Sequence, residues 1–202
     1  MKSKIIFVLS VIFLVVWTIR YYTLNKTFLA HNEYLTTNYK LGEKVEINDN
    51  MSYNGYYNSG YSITVNKKRI ISFEDFLSEY NKEQSDFLIK PEKFLIVETD
   101  IENISSDNTQ EGVYFQSLPI IGTNWYTFFN REATAYVNDF FDDDTSVSYG
   151  VLVHKGTSAK VNIVYNLYED SFSQSQWDNL DDEPMRLNIT IRPVNNMIVI
   201  NE

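Results

Sequence analysis

The chain contains no cysteine, and only two of its 202 residues are histidine. The first absence excludes disulfides, a lipid-modified cysteine, thiolate metal sites and a cysteine nucleophile. The second leaves little for zinc, because His31 and His154 stand far apart in the chain. Basic residues are scarce too: 17 Lys and Arg face 27 Asp and Glu, for a formal net charge of −10. Lys2, Lys4, Arg20 and Lys26 fall within the first 26 positions, where no acid occurs, so the rest of the chain sets 13 basic against 27 acidic residues, a net of −14. A domain this acidic repels phosphates and anionic headgroups, so no nucleic-acid partner is expected. The acidity also serves plain solubility. A cysteine-free exported domain rich in Asn, Ile, Lys and Tyr points to a Gram-positive bacterium with an AT-rich genome.

What the N-terminus does have is one long apolar run. Ile5 to Ile19 reads IIFVLSVIFLVVWTI without a charge. As a helix it covers about 23 Å at 1.5 Å per residue, short of the roughly 30 Å hydrocarbon core. Lys4 and Arg20 can snorkel, while Trp17, Tyr21 and Tyr22 suit an interfacial belt. A cleaved signal peptide is the rival reading, but no Ala-x-Ala pattern follows the run. A buried soluble helix would show a polar stripe, which is missing. The expectation is an uncleaved signal anchor over residues 1–24 and a stalk over 25–40. The protein then crosses the cell membrane once, N-terminus cytoplasmic and C-terminal domain extracytoplasmic, with the lipid bilayer as the helix's partner.

From Leu41 onward the periodicity is that of strands. Tyr61, Ile63 and Val65 alternate with Ser62, Thr64 and Asn66. The same period of two runs through Leu95–Glu102, Ala159–Leu167 and Met185–Arg192. One apolar face per strand marks half-buried antiparallel strands. Weaker candidates are Val45–Ile47, Val113–Leu118, Trp125–Phe129, Val147–Val153 and Met197–Ile200. Turn residues separate them at Ser105–Asn108, His154–Thr157 and Pro193–Asn196. Ser72 followed by Asp75 starts a capping box, and Phe73, Phe76, Leu77 and Tyr80 form a helical stripe. The fold class expected is therefore mainly β: an N-terminal transmembrane helix, then an immunoglobulin-like antiparallel β-sandwich over 41–202 with one short amphipathic helix.

Leu41-Gly42, Gly60–Val65, Ser72–Tyr80, Pro91 and the strand ending at Glu102-Asn103 follow the anchor in an order that resembles an uncharacterised family of membrane-anchored or lipoprotein-like proteins of Gram-positive bacteria, built on a domain of unknown function. The resemblance implies the fold and an envelope location, and assigns no functional residue.

Candidate chemistry is thin. A Ser–His–acid set needs a placed histidine, and His154 sits at a strand end beside Gly156, where a solvated turn residue is the plainer reading. Asp139, Asp142 and Asp144 could supply oxygens to calcium, although EF-hand spacing is missing and a solvated acidic loop competes. Paired carboxylates for a hydrolase are available only because acids are abundant. The most distinctive feature is the tyrosine-rich loop, with Tyr53, Tyr56, Tyr57 and Tyr61 among Asn and Gly. Tyrosine offers flat amphipathic contact area at low entropy cost. Such a loop binds protein or sugar, or else folds back onto the sandwich. Trp177, within Gln-Ser-Gln-Trp-Asp-Asn, reads as an exposed stacking residue, and Trp125 as core.

The expected function is a non-enzymatic extracytoplasmic interaction domain, without a cofactor, binding an envelope protein or a cell-wall polymer. The alternatives are a carbohydrate- or peptidoglycan-binding module acting through the tyrosine loop, and a calcium-assisted or carboxylate-based envelope hydrolase.

Overall fold

The structure, a computed structural model, describes residues 10, 11, 13–21, 35–48, 50–56, 58–106, 112–138 and 149–201. The chain divides into two compact units, Met1–Leu35 and Thr36–Glu202. In the first, residues 10, 11 and 13–21 are helical (α1), and their apolar side chains, among them Val11, Phe13, Val16 and Ile19, are exposed. Among the described residues, no helix is long and apolar enough to cross a membrane. The expected span starts at Ile5, and residues 1–9 and 12 lie outside the described ones.

The second unit is mainly β. Its strands are β1 (Leu35–Tyr39), β2 (Lys44–Ile47), β3 (Tyr61–Ser72), β4 (Lys93–Asn103), β5 (Val113–Tyr114), β6 (Ile120–Ile121), β7 (Tyr126–Thr127), β8 (Gly150–Val151), β9 (Ser158–Leu167), β10 (Arg186–Asn188) and β11 (Val194–Val199). Its helices are α2 (Phe73–Glu79), α3 (Arg131–Val137) and α4 (Gln174–Asp178). One sheet runs β1-β11-β10-β6-β7, a second β2-β3-β4-β9, and β5 pairs with β8. The end of the segment expected as a stalk, 25–40, is thus a strand. Alternation with turn residues could not reveal β1, because four of its five side chains are exposed.

Both main sheets face one shared core. It takes Ile63, Leu95, Val97, Ile101, Val161 and Ile163 from the second sheet, and Ile120, Leu187, Ile198 and Ile200 from in and beside the first. This is a β-sandwich. The second sheet is covered on its other face as well. There Phe94 and Ile96 of β4 and Val164 of β9 lie under Phe73 and Phe76 of α2, Phe87, and Ala133 of α3. Ser72 caps α2 by accepting from the Asp75 amide at 3.0 Å, as the sequence leads one to expect. Fully burying each of these phenylalanines is worth about 1.5–3 kcal/mol.

β3 runs far past Val65 because a bulge resets its parity. Val65 pairs with Thr99, but Lys67 pairs with Glu98, so Asn66 is the extra residue. Beyond the bulge Lys68 and Ile70 share the inner face with their partners Val97 and Leu95, while Arg69 turns outward to Glu79 and Tyr80. The polar Asn66–Arg69 stretch, where the alternation of the sequence ends, is therefore mid-strand. Lys68 sits partly inside and its ammonium donates to the Asp181 carbonyl at 2.9 Å. Burial holds its pKa below the ordinary lysine value, against the pull of Asp181 and Asp182.

The free edge of β9 is closed by the segment leading into and through α3. The Asn130 amide donates to Val164 O, Thr134 Oγ1 accepts from Val164 N, and Asn138 both donates to Asn162 O and accepts from Asn162 N. Thr127 Oγ1 donates to Asn166 O at 2.8 Å. Side chains here replace a neighbouring strand and blunt the edge.

Candidate functional site

The loop between β2 and β3 is fastened from below. Ser52 N donates to Tyr56 O at 2.7 Å, and Ser52 Oγ to Ile189 O at 2.8 Å. The buried Asn58 amide donates to Ser117 Oγ at 2.9 Å and to Ser52 Oγ at 3.2 Å. Asn54 and Gly55 take positive φ angles of 62° and 80°, which closes the tight turn that carries Tyr53. The loop is thus a fixed platform.

Beside it stands the β6–β7 hairpin. Ile120 pairs with Thr127 and Ile121 with Tyr126, and the turn closes by Gly122 N donating to Trp125 O at 2.9 Å. Adjacent strand residues point to opposite faces. Trp125, the last residue of the turn, packs inward, while in β7 Tyr126 stands 66% exposed and Thr127 Oγ1 donates to Asn166 O. Gly122 lets the indole close over it, since a Cβ there would lie 2.1 Å from Trp125 Cε2. Trp125 Nε1 donates to Glu183 Oε1 at 3.2 Å, and Gln176 Nε2 donates to the same oxygen at 2.8 Å. The fully buried Tyr165 holds the base of the hairpin, its hydroxyl donating to Leu118 O at 2.8 Å. Burial pushes that phenol well above its ordinary pKa.

Two hollows flank β7. One, of about 300 Å³, has Tyr53, Pro119 and Ile121 in its walls; the other, of about 270 Å³, has Phe129, Asn166, Tyr168 and Phe172. Trp125 and Tyr126 line both. Phe128 stands between Tyr53 and Tyr126, with ring centroids 5.3 Å and 5.6 Å away. Every side chain lining the two hollows is uncharged, the tyrosine phenols included. Rings, amides and hydroxyls suit recognition rather than proton transfer. Among the described residues, no cluster of three or more His, Asp or Glu could hold a metal ion.

The model of a family described as a domain of unknown function, DUF5028, matches residues 36–196. The chain belongs to the DUF5028 family. The match begins within β1 and ends within β11, so this DUF5028 domain takes in both sheets and the hairpin site. No curated protein matches the chain. Two solved structures are similar to it. A functionally unknown protein from Listeria monocytogenes EGD-e is 10% identical, with 74% of this chain and 72% of that one covered and a TM-score of 0.42. An uncharacterized beta-sandwich protein from Clostridium difficile 630 is 14% identical, with 82% and 96% covered and a TM-score of 0.41.

The residues singled out from sequence are dispersed in the DUF5028 domain. Tyr53 lines the larger hollow. Tyr56 is half-buried and stacks on Tyr114, with centroids 4.7 Å apart. Tyr61 is not a surface residue. It opens β3 on the inner face, is 1% exposed, and belongs to the core. Trp177 is likewise buried, at 9% exposure. Its polar neighbours suggest exposure, but α4 is a single turn that aims the indole inward, next to Phe172 and beneath Lys93 Nζ at 4.4 Å from the ring. Tyr57, Asp139, Asp142, Asp144 and His31 lie outside the described residues. His154 is exposed in its turn, where its carbonyl accepts from Thr157.

Sequence reasoning missed Tyr126, Phe128 and Pro119. The signal was present: Pro119 to Asn130 carries four aromatic residues and no charge, in a chain with 22% charged residues.

Proposed function

We propose that this protein is a membrane-anchored, extracytoplasmic, non-enzymatic binding domain of a Gram-positive cell envelope. Its ligand, an envelope protein or a cell-wall component, docks over β7 across the two hollows. The observation that carries this reading is the exposed Tyr126 ring, set between two uncharged aromatic hollows on a hairpin fixed by Gly122, Glu183 and Tyr165. A binding surface held rigid before its ligand arrives loses little entropy on binding. The sandwich, immunoglobulin-like in this reading, supplies the scaffold for the loop and hairpin. The anchor rests on the charge-free run from Ile5 to Ile19 and on the exposed apolar side chains of α1.

Two experiments test the proposal. Cross-linking on intact cells carrying the tagged full-length protein is expected to recover one dominant envelope protein or wall polymer, and Tyr126→Ala is expected to lose it. Equal recovery by both proteins sinks the docking surface. For the topology, the absence of cysteine gives a clean background. A single Ser85→Cys in the exposed turn after α2 is expected to react with an impermeant maleimide on intact cells, and Ser3→Cys only after lysis. The reverse pattern overturns the orientation.

A further inference from the structure

We infer that the occupant of the two hollows is a neutral polysaccharide strand, which rests on the docking reading above and names its ligand. Charge selects the class. Residues 112–130 contain no Asp, Glu, Lys, Arg or His, and neither hollow has a charged wall. An anionic polymer finds no counter-charge there and meets a chain of net charge −10. A cationic segment finds no carboxylate in the lining. A neutral ligand loses nothing to either.

The lining also matches sugar chemistry. A pyranose offers a face of C–H groups and a rim of hydroxyls. Aromatic faces carry the negative side of the ring quadrupole, which attracts C–H groups polarised by neighbouring oxygens. Tyr126, Phe128 and Tyr53 place three rings beside the hollows, Phe128 edge-on to Tyr126 and tilted against Tyr53. The rim needs donors and acceptors. Asn124 Oδ1 already accepts from Gln176 and Asn166 Oδ1 from Asn130, so each amide offers its Nδ2 as donor. The Tyr168 hydroxyl can do either. Two hollows sharing Trp125 and Tyr126 fit successive sugar units, so the ligand is a chain and not a monosaccharide.

The test uses full-length protein in a detergent without a sugar headgroup. The probes are a panel of neutral hexasaccharides (chitohexaose, cellohexaose, mannohexaose and xylohexaose), polygalacturonate as an anionic control, and an arginine-containing proline-rich peptide, since aromatic grooves also take such peptides. Titration calorimetry is expected to show saturable binding of at least one hexasaccharide and weaker binding of its disaccharide. Tyr126→Ala is expected to weaken the hexasaccharide about tenfold or more, with an unchanged unfolding midpoint. No binding across the panel overturns the inference, as does binding that Tyr126→Ala leaves intact, tighter binding of polygalacturonate, or saturation by the peptide alone. If the panel fails while Tyr126-dependent capture on cells persists, the sugar assignment falls and the docking surface stands. If Tyr126→Ala changes neither, both fall.

Discussion

The segments Met51–Tyr61 and Pro119–Phe129 are similar in composition, each with four aromatic residues, and the fold uses them in opposite ways. In the first, hydrogen bonds from Ser52 and Asn58 draw the loop down. Among the described tyrosines, Tyr61 enters the core, Tyr56 lies on Tyr114, and Tyr53 stands at the rim of a hollow. In the second, the turn packs Trp125 inward, and the pleat of the short edge strand β7 then sends Tyr126 out and Thr127 towards Asn166. An aromatic residue in a loop goes where the backbone's polar groups find partners. In a strand it goes where the register sends it. The tyrosine-rich loop is thus the more conspicuous sequence, and the hairpin carries the most exposed of the described tyrosines of the two segments.

The largest expected effect breaks the symmetry between tyrosines within the first segment. Tyr61→Ala empties a fully buried site between the sheets, and the loss expected is about 3–5 kcal/mol. Tyr53→Ala, at the rim, should cost about 0.5 kcal/mol or less. Urea unfolding of both variants measures the difference, and equal midpoints would show that Tyr61 does not belong to the core. Next comes Gly122→Ala. The new methyl would meet the Trp125 ring, so the indole must leave its bond to Glu183. Overpacking of this kind costs about 1–3 kcal/mol. A shift in Trp125 fluorescence together with lost ligand binding is the expected readout; an unchanged spectrum would refute the contact.

Tyr165 ties the hairpin to β9 and gives a pH-dependent version of the same comparison. Its hydroxyl donates to Leu118 O, and Tyr165→Phe leaves that carbonyl without the donor, at a cost of about 1–2 kcal/mol at neutral pH. The folded pKa is raised above the unfolded value. The contribution is therefore complete below about pH 10 and is lost as pH rises from there toward the folded pKa, by about 1.4 kcal/mol per pH unit. Tyr136, Tyr168 and Tyr80 are raised too, so the wild-type slope is shared. The gap between wild type and Tyr165→Phe should still narrow above pH 10. Stability curves that stay parallel from pH 8 to 11 would contradict the burial of this phenol.

Much of the fold was legible because its long strands carry a core-facing set with a period of two, even though the other face is partly covered too. In β4 and β9 the inner-face residues recur with a period of two, at Leu95, Val97, Thr99 and Ile101 and at Val161, Ile163, Tyr165 and Leu167, although Phe94, Ile96 and Val164 are buried on the other face. The cap at Ser72 located α2. In β3 the alternation stops at Asn66, because the bulge there reverses the parity on which a period of two depends. α3 went unread because its work is polar: Asn130, Thr134 and Asn138 replace a missing strand, and Ala133 is its only fully buried apolar residue. The site was half legible. Tyr53 belongs to it, but a residue's own type cannot show which tyrosine a neighbouring segment covers, and Trp177 was misplaced for the same reason.

The smallest expected effect on stability sharpens the comparison most. Tyr126 is 66% exposed, and its ring touches Phe128 alone among the described aromatic rings. Removing it uncovers little apolar area, so Tyr126→Ala should move the unfolding free energy by less than about 0.5 kcal/mol. The same change should abolish most binding, because a large ring at the centre of a contact dominates its energy. Structure and function then separate on one side chain: Tyr61 carries stability without recognition, Tyr126 recognition without stability. A Tyr126→Ala loss near that of Tyr61→Ala would mean that the hairpin ring is part of the packing, and β7 would then have no free surface to offer a ligand.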